Sequence, residues 1–252
     1  MTEPAGPLPP AFYAASVHSR RRVWADWWVL LHAPYTLWHL SYVAVGATLS
    51  PHFDVVRLTA TALAFFLAVG LGAHALDELQ GRPLHTSIAS PTLVAVAVVS
   101  ISGAVALGIA GIDRVGVGLA LFIAVGVVLN CGYNLELFRG RLHNDTTFAA
   151  AWGAFPVLTA YYAQAETLRP AAFAAAAFAF WLSAAQRALS TPARTLRRRV
   201  ETVEGTITYV DGRVVPLSRS NLLAPLETAL KATAWSVVAL AVALIIYRIN
   251  EG

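Results

Sequence analysis

The stretch Val56–Ile88 reads "VRLTATALAFFLAVGLGAHALDELQGRPLHTSI". Its first twenty or so residues form one apolar run, 56–76, with a single charge at its start. It then turns abruptly polar: Asp77, Glu78, Gln80, Arg82 and His85 fall within nine residues. A continuous apolar run of this length is what a helix needs to cross a hydrocarbon core about 30 Å thick. The polar tail then belongs at a membrane boundary, and the fold follows from how often the pattern repeats.

It repeats along the whole chain. Apolar runs occupy 28–49, 56–76, 91–111, 115–133, 147–165, 170–186 and 231–247. Of 252 residues, 57% are hydrophobic and 13% charged, with a mean hydropathy of +0.60. An ordinary soluble domain carries about 25% charged residues. In lipid the backbone must satisfy its own hydrogen bonds, and unbroken runs select helices over barrels. The expected class is all-α: a polytopic membrane bundle of about seven spans in a single domain, 27–252, after an N-terminal arm, 1–26.

The arm contains "GPLPP", which cannot sit inside a helix, and then "RRRVWADWW". Tryptophans beside arginines suit the headgroup layer, so an interfacial anchor is expected there. The first run starts too late and is too long for a secretory signal. Cys131 is the only cysteine, so no internal disulfide can form and a small packing residue is the plain reading.

Charge orients the bundle. If even-numbered spans return to the N-terminal side, that side holds Arg20, Arg21, Arg22, Arg82, Arg139, Arg141, Arg187, Arg194, Arg197, Arg198, Arg199, Arg213, Arg219 and Lys231. The other side holds Arg57, Arg114, Arg169 and Arg248. The positive-inside rule then places the N-terminus in the cytoplasm and the C-terminus outside a cell membrane. The net charge of +4 reads as topology and contact with anionic membrane lipids, and no nucleic-acid partner is expected.

The connections on the arginine-rich side are the richer ones. "DELQGRPLHTS" and "NLELFRGRLHND" carry acids, arginines and histidines. The segment 187–230 opens with a basic stretch in which Pro192 is expected to break the helix. It continues with "TITYVDGRVVPL", whose β-rich arms flank Asp211-Gly212 and predict a small cytoplasmic hairpin. "SRSNLLAPLETALKATAW" then leads into the last run, with Ser220 as the expected N-cap.

Asp77 and Glu78 are the first site candidates. Carboxylates at a bilayer boundary face water or a partner by default. His74 stands one turn before Glu78 and shares its face. Mg²⁺ takes few protein carboxylates and fills its shell with water and phosphate oxygens, so Asp77 or Glu78 is a candidate ligand. The competing reading is a polar helix end. In the second cluster Tyr133, Asn134 and Glu136 end the fourth run, followed by Arg139, Arg141 and His143. If the two loops converge, acids of one could hold a cation while arginines of the other meet phosphate oxygens.

Five pieces in order carry a family resemblance: "LHAPYTLWHLSYVAVGA", "GAHALDE", "GRPLHTSIASPTL", Tyr133 with Arg139, and "FAAAWGAFPVLTAYYAQAETL". Over residues 28–190 the chain resembles the UbiA superfamily of intramembrane prenyltransferases. The resemblance implies Mg²⁺ held at Asp77 and Glu78, with His74 beside them as a catalytic group. It implies an isoprenoid diphosphate or other lipophilic substrate contacted by Arg82, Tyr133, Asn134, Glu136, Arg139 and Arg141. Two departures set a second expectation. Gly81 stands where the family's first motif has its next acid, and "SAAQRALSTPARTLRRR" holds no acid where a second motif should lie. A non-catalytic relative, binding a lipid or quinone or serving as a subunit of a homo- or hetero-oligomer, is the alternative. A retinal protein is disfavoured, because the only lysine, Lys231, opens its span instead of sitting at its middle.

Overall fold

A computed structural model describes residues 23–251. Residues 1–22, most of the expected arm with Arg20, Arg21 and Arg22, lie outside the described residues. The chain is mostly helical, with one two-stranded sheet among the described residues.

Helix α1 (Val23–Leu31) and helix α2 (Ala33–Thr48) form the first apolar run. The run is not one straight helix. Pro34 lacks a donor and its ring obstructs the preceding turn, so α1 stops short of it. The chain turns through His32 in the left-handed region (φ 45°, ψ 50°) before α2 begins. Helix α3 (Val55–Leu79) starts at Asp54, whose side chain accepts from the amides of Val56 and Arg57. Its middle, Phe66–Ala73, widens to π-helical geometry.

Helix α4 (Ser90–Val115) and helix α5 (Leu119–Asn134) follow. Helix α6 spans 145–165, with a second π-helical stretch at Ala149–Ala154. Helix α7 (Pro170–Arg198), strands β1 (Thr206–Thr208) and β2 (Val214–Pro216), and helix α8 (Arg219–Glu251) complete the chain. Four helices, α3, α4, α7 and α8, are long and apolar enough to cross a membrane, and α5 is a shorter apolar helix.

The bundle centres on α2, which packs against α6 and α8, while α7 packs on the π-helical stretch of α6. Trp38, Tyr42, Val157, Ala176, Ala179 and Val237 form the largest part of the core. Small residues set the spacing. A side chain at Gly46 would run into the Val157 backbone, and one at Gly153 into the backbone of Ala179. This close helix approach through small residues is the packing mode expected in lipid.

Two expectations need correction. Pro192 does not break α7, which runs unbroken to Arg198. The extension is held by tertiary contact: Ala193, Leu223 and Leu230 bury together, with Leu189, Leu196 and Leu226 around them. Arg197 reinforces it with a two-pronged ion pair to Glu227 of α8. The N-cap of α8 is Ser218, whose hydroxyl accepts from the Asn221 amide at 3.2 Å, and not Ser220. The hairpin forms as expected. Ile207 pairs with Val215, and Gly212 (φ 81°) closes a turn in which its amide donates to Tyr209 O at 2.9 Å.

Candidate functional site

The expected site residues collect at the arginine-rich end, and they divide sharply by what their side chains do. Asp77 and Glu78 are neighbours on α3 but point apart. The Glu78 carboxylate is fully buried (0% exposed) and faces the following loop. One oxygen accepts from the Leu84 amide at 2.9 Å. The other accepts from the Thr86 amide at 2.9 Å and the Thr86 hydroxyl at 2.8 Å. Arg82 works on the same loop, donating to Ile88 O at 2.5 Å and Ser90 Oγ at 2.7 Å. Glu78 and Arg82, expected at a ligand, shape the turn after α3. The turn needs such fixing, because Arg82 and His85 both sit at φ 55°, a region costly for residues with side chains.

Asp77 is exposed. It lies within electrostatic reach of His74, Arg194 and His143. His74 follows the π-helical stretch of α3 and donates through Nδ1 to Gly70 O at 3.0 Å. Its ring sits 5.1 Å from that of His32, at the elbow between α1 and α2. His39 behaves similarly, with Nδ1 donating to Trp152 O at 2.9 Å inside the second π-helical stretch. Such widened turns are frequent at functional sites.

The second loop does converge on the first. Tyr133 is buried, stacks on His143 with centroids 4.5 Å apart, and touches Trp152 at 4.8 Å. It lies within electrostatic reach of Asp77, Asp145, Arg187 and Arg194. Asn134 turns inward, donating to Asn130 O at 2.8 Å, and Asn130 donates to Ala68 O at 2.8 Å. Glu136 is exposed, 4.0 Å from His143. Arg139 and Arg141 are exposed on the loop surface. The structure therefore puts Tyr133 within electrostatic reach of Asp77 and leaves Arg139 and Arg141 at the rim.

One cation within electrostatic reach of Asp77, Arg194, comes from α7. With Pro192 inside the helix, Arg187, Arg194 and Arg198 recur at intervals of seven and four and share one stripe. Arg187 pairs with Asp145 at 2.7 Å and lies over the Phe148 ring, 5.1 Å from its centroid. Arg198 donates to Pro83 O at 2.7 Å. Arg194 lies within electrostatic reach of His32, Tyr35, Asp77 and Tyr133. Near this stripe His32 Nε2 is buried without a hydrogen-bond partner, while Gln186 and Ser190 hydrogen-bond with Tyr35. The signal was present as the spacing of 187, 194 and 198. Reading Pro192 as a break concealed it.

An apolar cavity of about 180 Å³ lies between α3, α4, α5 and α6, with Arg57 and Arg114 among its lining residues. Val69, Ile101, Phe155, Asn130 and Trp152 are among its walls. Trp152 is shared, lining the cavity and touching Tyr133.

Of the two ligands that the resemblance implies for Mg²⁺, only Asp77 is open: Mg²⁺ takes one or two carboxylates and fills its shell with water and phosphate oxygens. Asp77 offers one carboxylate, and both oxygens of Glu78 are engaged. Among the described residues no group of three His, Cys, Asp or Glu side chains is placed to hold a metal. In comparisons with family models, with curated proteins and with solved structures, none matches this chain.

Proposed function

We propose that the chain is a UbiA-like membrane protein of seven spans, N-terminus in the cytoplasm, that binds a lipophilic isoprenoid-type molecule with a polar head. The apolar cavity takes part of the tail, and the Asp77–Tyr133–Arg194 cluster meets the head. The observation that carries this reading is Trp152, which walls the cavity on one side and packs on Tyr133 of the polar cluster on the other. An apolar cavity of ~150 Å³ takes a benzene ring, so one of about 180 Å³ takes a short branched segment. The remainder of a longer tail would lie in lipid. The seven spans are the four long helices, α5, the α1–α2 pair and α6.

Binding is favoured over prenyl transfer. Transfer in the implied manner uses Asp77 and Glu78 on Mg²⁺ to make diphosphate a leaving group, and Glu78 is occupied by Leu84 and Thr86. The test is direct. Purified protein in nanodiscs is titrated with farnesyl diphosphate and with farnesol. Saturable binding of either, weakened by Trp152→Ala, is the expected result. Binding of neither overturns the proposal. Product formed from farnesyl diphosphate and an aromatic acceptor would replace the binding reading with the enzymatic one.

A further inference from the structure

We infer that the outer edge of strand β1 (Thr206–Thr208) is a contact between two copies of this chain. It pairs antiparallel with the same strand of a second copy in the same membrane, joining two hairpins into one four-stranded sheet. The inference goes beyond the lipid-binding reading and does not depend on it.

The hairpin is an unfinished sheet. Its two strands pack mainly on each other, and no third strand joins them among the described residues. All of Thr206–Thr208 and most of Val214–Pro216 is exposed. A lone two-stranded hairpin is marginal in water, and a further strand is one of the additions that steady it. The hairpin also stands clear of the bundle's apolar runs. Helix α7 continues to Arg198, past the run that ends at 186, and α8 starts at Arg219, ahead of the run that begins at 231. At 1.5 Å per residue the two helices carry the hairpin roughly 18 Å beyond those runs, where a second copy can reach it.

The two edges of the hairpin differ. The Tyr209 amide donates to Arg213 O at 2.8 Å, and the Leu217 amide donates to Gly205 O at 2.9 Å. Ile207 lies opposite Val215. Alternation then points the backbone groups of Thr206 and Thr208 away from β2, and those of Val214 and Pro216 away from β1. The β2 edge is closed. Pro216 has no amide proton to give, and its carbonyl accepts from Asn221 Nδ2 at 3.5 Å. The β1 edge is open. Thr206 and Thr208 each keep a backbone donor and acceptor without a backbone partner among the described residues. This edge also lacks the charges and prolines that usually protect one: from Gly205 to Val210 the chain reads "GTITYV".

Register and charge name the occupant. Outward groups two residues apart are self-complementary about a twofold axis through Ile207. Thr206 then faces Thr208 of the second copy, and Thr208 faces its Thr206. Each pair exchanges two backbone hydrogen bonds and sets two threonines side by side. With no charge in 205–210, two copies meet without repulsion, and a charged foreign strand finds nothing to pair with. A shared membrane presents every copy with this edge at the same height. Two pairs at each seam bury far less than the ~1,600 Å² of a standard interface, so the contact needs that confinement and is tested in vesicles.

Ile207→Cys and, separately, Val215→Cys are introduced into a Cys131→Ser background. The full chain is reconstituted in phosphatidylcholine vesicles and oxidised with copper phenanthroline. In the paired sheet the two 207 Cα atoms lie about 4.5 Å apart, within the span of a disulfide. The two 215 Cα atoms lie three strand spacings apart, about 14 Å, outside it. A covalent homodimer is expected for Ile207→Cys and not for Val215→Cys. Adding Thr208→Lys, which sets two positive charges across the seam, should cut the homodimer about fivefold or more. Thr208→Pro, which removes only an outward donor, should do the same. Thermal melting in the same vesicles separates lost pairing from lost folding. Equal cross-linking at 207 and 215, or an unchanged homodimer in a folded Thr208→Lys variant, overturns the inference. In cell membranes, an adduct of Ile207→Cys with another protein in place of the homodimer overturns the second copy as occupant and gives the edge to a foreign strand.

Discussion

The two ends of the bundle use the same kinds of residue to different ends. At the end away from the arginine cluster, Arg57 donates to the carbonyls of Ala163 and Gln164 and pairs with Glu166 at 3.0 Å. Gln164 exchanges two hydrogen bonds with the Asp54 backbone, at 2.8 and 3.0 Å. Arg248 donates to Ser50 O at 2.8 Å. Polar groups there close helix ends against one another. At the arginine-rich end, His32 Nε2 is left without a partner. Backbone strain divides the two ends. Of the seven described non-glycine residues with positive φ, His32, Arg82, His85, Glu136, Phe138 and Arg139 lie at the arginine-rich end and Glu166 at the other. Strain gathers at the arginine-rich end, while each end keeps a buried unpartnered atom, His32 Nε2 at one and Arg248 Nε at the other.

The largest test of this contrast is Glu78, the exception at the arginine-rich end. It is fully engaged, so Glu78→Ala should cost roughly 3 kcal/mol or more, by stranding three donors around a lost charge. A clear fall in melting temperature in nanodiscs is expected, with little change for Asp77→Asn. If Glu78→Ala melts normally and loses only ligand, Glu78 belongs to the site and the division drawn here fails.

Next in size is the packing that holds both ends in register. Gly46→Val places a side chain against the Val157 backbone and should cost about 1–3 kcal/mol by overpacking. The same melt reads it, and an unchanged melting temperature would mean that α2 and α6 are not in contact. At the relaxed end, Arg57→Ala removes a guanidinium that ties α3 to α6 and should cost about 1–2 kcal/mol. The same melt reads it, and an unchanged melting temperature would mean that this tie adds no stability.

The smallest effect is expected at the rim. Arg139 and Arg141 are exposed, so their single alanine variants should stay within about 0.5 kcal/mol of the parent. Their effect on diphosphate affinity should be well below that of Arg194→Ala. A tenfold loss in either would move the contact with the polar head from Arg194 to the loop after α5.

Much of this molecule is legible in its residues. Runs of apolar residues mark α3, α4, α7 and α8, because the 3.6-residue helix is the only local way to satisfy an uninterrupted apolar backbone. Asp211-Gly212 between β-rich arms marks the hairpin, because glycine takes the positive φ that the turn requires. Pro34 and Pro192 carry the same local signal and have opposite outcomes. The first ends a helix, while the second is carried through one. Ala193 and Leu196 pack against α8, and Arg197 pairs with Glu227. Local propensity cannot weigh contacts made by residues further along the chain.

The sequence by itself determined the helices, the hairpin and the asymmetry of charge between the two faces, since each depends on residues close together in the chain. Which polar groups are spent and which are open was decided only by tertiary structure. Asp26 accepts from the Ser87 amide 61 residues on, Arg197 reaches Glu227 across 30 residues, and Arg198 reaches Pro83 across 115. Glu78 is closed because its own loop folds back over it.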